Sequence, residues 1–166
     1  PTCAVVLEAE PEDRASMERP PRPVSDSPFA IAPLLYAVLQ GLGMAAVLLA
    51  GQYGLTVLGW GSAQSRTVVL GTLVLCVMLL ILANRNLSRP ALRGMTDPNP
   101  WLGRMAAAMG LLLAAVLGMA WLRALMGLAL PGLQGLGVAA GLLALCLAWL
   151  ELVRLAGRRA WPRLIA

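Results

Sequence analysis

Few residues in this chain are able to do chemistry, and their spacing rules out most of it. Cys3, Cys76 and Cys146 stand far apart at no metal-ligand spacing, and the chain has no histidine. Zinc chemistry and Ser/His or Cys/His nucleophiles are thereby excluded. Cys76 and Cys146 lie deep in apolar runs, where cysteine behaves as a small hydrophobe. The glycines sit among Leu and Ala rather than ahead of a Lys-Ser or Lys-Thr pair, so there is no phosphate loop. No catalytic, cofactor-binding or metal-ligating residue is nominated.

The composition explains why. Of 166 residues, 59% are hydrophobic and 13% charged, with mean hydropathy +0.76; a soluble domain carries about 25% charge. All 13 basic residues are Arg. A net charge of +5 on a polar protein would suggest nucleic acid. Here the Arg residues flank apolar runs, which is the pattern of membrane topology, and the partner is lipid, not nucleic acid.

The fold class is all-α: a polytopic membrane protein with four transmembrane helices plus the end of a fifth. A bilayer core takes about 20 apolar residues of helix. The first full span covers about 30–51, with Pro33 in its first turn, where a missing backbone donor costs little. Tyr36 and Gln40 are its notable polar side chains, and Gln40 reads as an interhelical hydrogen bond. Gly41, Gly43 and Ala45 make a thin strip that lets another helix come close. The second span, 67–84, lies between Arg66 and Arg85, and the third between Arg104 and Arg123. The fourth covers about 132–153, after Pro131, and ends at Glu151 and Arg154. Trp60, Trp101, Trp121, Trp149 and Trp161 fall near span ends, as interfacial aromatics do. Ahead of these, the apolar stretch 1–7 is too short to cross a bilayer and reads as the end of a truncated helix, so the chain looks like a fragment.

Orientation follows from Arg. Arg14, Arg19, Arg22, Arg85, Arg89, Arg93, Arg104, Arg154, Arg158, Arg159 and Arg163 share one side, against Arg66 and Arg123 on the other. The positive-inside rule then puts both termini in the cytoplasm, with loops 52–65 and 124–131 outside. Segment 8–28, acidic and then rich in Pro and Arg, is a stiff cytoplasmic connector. Asp97 and Asn99 can cap the third span. The four-helix domain occupies 29–156, and the basic tail 157–166 suits the anionic inner leaflet. The all-Arg, Ala- and Gly-rich composition points to a G+C-rich bacterial genome, and so to a bacterial plasma membrane.

The stretch Val6-Leu7-Glu8-Ala9-Glu10-Pro11-Glu12, followed by Met17-Glu18-Arg19-Pro20-Pro21-Arg22-Pro23, resembles the segment after the sixth transmembrane helix of P-type cation-transporting ATPases. Thr72-Leu73-Val74-Leu75-Cys76, Asn84-Arg85, Arg89-Pro90 and Asn99-Pro100-Trp101-Leu102 fall where the eighth helix, its loop and the ninth helix have similar residues. The likeness covers essentially the whole chain and is closest to the calcium-pump-like bacterial group.

The resemblance implies that the chain runs from the end of helix six through helix ten. The parent uses ATP and Mg, phosphorylating the Asp of an Asp-Lys-Thr-Gly-Thr motif, whereas this chain has no Lys. The chain alone is therefore expected to be inactive. It would act as a transmembrane support domain for the missing N-terminal helices and cytoplasmic domains of the parent, with the Gly41/Gly43 strip facing the missing fifth helix. Calcium is the favoured transported cation. The family's acidic eighth-helix position falls near Val77, yet 67–83 carries no carboxylate or amide; its polar side chains are Thr67, Thr72 and Cys76, read as packing contacts. The alternative is a free-standing four-helix membrane scaffold or regulatory protein. A small channel or secondary carrier ranks lower, since no ionisable residue lies between the span brackets.

Overall fold

The structure, a computed structural model, describes residues 31–85 and 100–160. The regular elements among them are all helices: α1 (Ile31–Val57), α2 (Ser62–Arg85), α3 (Pro100–Gly118), α4 (Ala120–Met126) and α5 (Leu133–Ala160). Expectations for 1–28, for the capping residues Asp97 and Asn99, and for the tail beyond residue 160 lie outside the described residues. Among the described helices, α1, α2, α3 and α5 are long and apolar enough to cross a membrane. A helix is the natural form for such runs, because it satisfies its own backbone where no water can.

The first hairpin is tighter than the expected loop 52–65. Residues 52–57 and 62–65 are helical, leaving only 58–61 as the turn. Gly59, at φ +78°, takes the left-handed position that closes α1. Its N–H donates to the Thr56 carbonyl at 3.1 Å, and that of Trp60 to Leu55 at 3.0 Å, a Schellman closure. Gln64 and Ser65 N–H groups then bond the Gly61 carbonyl at 3.0 and 3.1 Å, starting α2. Polar Gln52 and Thr56 do not break α1, because the Thr56 hydroxyl donates to its own helix at Gln52 O, 2.9 Å away.

The third span, expected as one helix over 104–123, is interrupted. Met119 adopts an extended conformation, φ −85° and ψ 113°, between α3 and α4. Its carbonyl accepts the N–H groups of Leu122 and Arg123, so it starts a second helix. The break removes an acceptor's partner at Leu117, and the Arg123 guanidinium donates to that carbonyl instead. Arg123 thus serves the backbone of its own span, where the sequence suggested only an interfacial bracket.

The core lies between α1, α2 and α5. One cluster joins Met44, Cys76, Leu79, Ala83, Cys146 and Leu150; a second joins Leu55, Val68 and Leu142. None of the apolar stretch of α3 is buried. One face of α3, with Leu102, Met105, Met109, Leu113 and Val116, is half-buried, and most of the rest is exposed.

Candidate functional site

The polar side chains inside the bundle gather in two places. At the end of α2 nearest the hairpin, Thr67 donates to the Ala63 carbonyl at 2.8 Å and accepts the Ala129 N–H at 3.0 Å. It therefore ties α2 to the segment between α4 and α5. One turn on, Thr72 is fully buried and donates to Val68 O at 2.8 Å. At the other end of α2, Asn84 Nδ2 donates to Leu80 O at 2.9 Å. These groups hydrogen-bond locally, and each hydroxyl or amide proton is used on its own helix. Val77 is half-buried.

The second gathering joins the start of α1 to the end of α5. Tyr36 and Gln40, one turn apart on α1, are both buried, and so is Arg154 on α5. The Arg154 Nε donates to Glu151 Oε2 at 2.6 Å, an i,i+3 pair. Tyr36 lies beside Gln40 and within electrostatic range of both Arg154 and Glu151. Among the described residues Gln40 does not make the expected interhelical hydrogen bond: its Nε2, like Arg154 Nη1, is buried without a described hydrogen-bond partner. The sequence reading stopped the fourth span at Glu151 and Arg154, whereas α5 continues to Ala160 and carries this ion pair inside the bundle. The i,i+3 spacing of opposite charges was the available signal, since such a pair neutralises itself on one helix face.

Half of the thin strip on α1 is covered from within this chain. A Cβ on Gly43 would fall 1.9 Å from Trp149 Nε1, so this glycine seats a side chain of α5. The indole N–H passes over it to the Leu39 carbonyl at 3.0 Å. Trp149 is therefore an interhelical contact. Gly41, two residues away, meets nothing within 4 Å, and that part of the strip stays open.

Among the described residues no three of His, Cys, Asp or Glu come together. The geometry is that of a packed, apolar helical bundle whose α2 polar groups are satisfied locally and whose Gln40 and Arg154 each keep a buried unpartnered nitrogen. Against known families, the description "Cation transporting ATPase, C-terminus" matches residues 1–156. The chain belongs to this family. Neither a curated relative nor a solved structure matches it.

As the C-terminal part of a cation-transporting ATPase, the chain is a multi-pass membrane domain associated with the rest of the pump and with a cation. The exposed flank of α3 and the open Gly41 edge are surfaces available to the remainder of the pump or to lipid.

Proposed function

We propose that this chain supports the ion-binding helices of an ATP-driven cation pump and supplies no ion ligands through α2. The observation that carries this reading is the state of the α2 polar groups. The Thr72 hydroxyl is enclosed and bonded to Val68 O, Thr67 is engaged at both its hydrogen and its oxygen, and residues 67–83 hold no carboxylate or amide. Hard cations such as calcium take six to eight oxygen ligands, so the ligands come from helices outside this chain. Calcium remains the favoured cargo.

ATP and Mg belong to the parent's cytoplasmic machinery. No segment of this chain fits the phosphorylation motif, which needs a Lys that the sequence lacks. The chain by itself is accordingly inactive as an ATPase. Its setting is a bacterial plasma membrane, with both termini in the cytoplasm.

The test uses the full-length pump. Thr72→Ala and Val77→Ala should leave the ion affinity within about threefold, a change under ~0.7 kcal/mol. A loss of tenfold or more in either variant, with expression and folding unchanged, would show that α2 carries part of the ion site.

A further inference from the structure

Three sulfur-bearing side chains, one from each core helix, stand in the same buried cluster: Met44 of α1, Cys76 of α2 and Cys146 of α5. Their relative exposures are 6%, 2% and 0%. Met44 is the middle residue of Ile31–Val57, and Cys146 lies at the middle of Leu133–Ala160. Cys76 lies past the middle of Ser62–Arg85. The three therefore converge at mid-depth, far from both helix ends. Cys76 and Cys146 are free thiols, and they stand in one cluster across the seam between α2 and α5.

Packing accounts for one buried cysteine on any helix. It does not by itself call for two thiols from different helices in one cluster, with a thioether beside them. The other members of that cluster, Leu79, Ala83 and Leu150, are hydrocarbon, so no oxygen or nitrogen side chain of the cluster competes for a bound ion. Soft thiolate and thioether ligands select soft metal ions, and the lack of oxygen ligands turns away calcium and magnesium.

We propose that Cys76 and Cys146, with Met44 alongside, form a binding site for a soft, thiophilic d10 metal ion that accepts two-coordinate thiolate ligation, unlike four-coordinate zinc, and that bridges α2 and α5 at the middle of the bundle. Charge balance favours a divalent ion held by both thiolates. Binding breaks two S–H bonds and forms two metal–sulfur bonds, the two protons leaving to water, and no oxidation state changes. The product is neutral overall, so it leaves no uncompensated charge in the low-dielectric interior. Coupling of metal binding to proton release is general for thiol ligands. The site does not depend on whether α2 contributes to ion transport.

The experiment uses the full-length protein, reduced, with every cysteine other than Cys76 and Cys146 replaced by serine, and Hg(II) as the probe. One ion should bind per chain, with an ultraviolet thiolate-to-metal charge-transfer band and two protons released per ion. Cys76→Ser and Cys146→Ser should each lower the affinity at least 100-fold against a competing dithiol and release one proton. Met44→Leu should keep the stoichiometry and weaken binding severalfold. Two ions per chain, or one proton per ion in the two-cysteine protein, would overturn the site. Should a serine variant fail to fold, X-ray absorption on the two-cysteine protein decides: two protein sulfurs at mercury support the site, and one or none refutes it.

Discussion

At the scale of single residues, Gly43 shows how close approach sets the position of the last helix. Trp149 occupies the space that a Cβ on Gly43 would need, and its N–H uses a lone pair of the Leu39 carbonyl. Gly43→Ala forces the indole to move and strains the seam; overpacking of this kind costs about 1–3 kcal/mol. Gly41→Ala meets no neighbour and gains helix propensity, up to ~1 kcal/mol. Unfolding of the two variants in mixed micelles should therefore shift in opposite directions. Equal shifts would mean that Trp149 does not sit over Gly43. Trp149→Phe keeps most of the ring and removes the donor, at about 0.5–1.5 kcal/mol.

At the scale of the element, the interruption between α3 and α4 depends on one long cation. The extended Met119 frees the Leu117 carbonyl, and Arg123 reaches back to it. Arg123→Met keeps a long apolar stem but leaves that acceptor unpaired, a penalty of roughly 1–3 kcal/mol for a buried group. Because Arg123 is only half-buried, the low end applies. Hydrogen exchange at 117–123 should rise in this variant while exchange in α1 and α5 stays as it was. Unchanged exchange would show that the break is held by something other than the guanidinium.

At the scale of the whole molecule, orientation in the bilayer rests on the eleven-to-two division of Arg. The structure narrows the first turn, which the Arg division would place outside, to residues 58–61, with Leu58 at 75% exposure. In a cysteine-free version of the pump, Leu58→Cys should react with an impermeant thiol reagent added to intact cells. Ala91→Cys should react only after the membrane is opened. Labelling in the reverse sense would invert the topology. The exposed flank of α3 belongs to this scale as well, since a helix with no fully buried apolar stretch leaves that surface to lipid or to other protein.

Membership in the transmembrane class was legible in the sequence by itself, because burying an apolar run in lipid depends on local composition and length alone. Four runs of sufficient length bounded by Arg, Pro and Trp were enough to count the spanning helices. Motif order alone placed them near the end of a cation pump, as the family match over 1–156 bears out. Only the tertiary structure decided what touches what. Helix ends followed backbone hydrogen bonding rather than charge position, so α1 ran through Gln52 and Thr56 to a left-handed glycine, and α5 carried Glu151 and Arg154 inward. Gly43 was read as a thin surface, but which helix lay against it depended on Trp149, more than one hundred residues away. The same holds for Met44, Cys76 and Cys146. Each looks like packing in its own run, and only the crossing of three helices brings their sulfurs into one buried cluster.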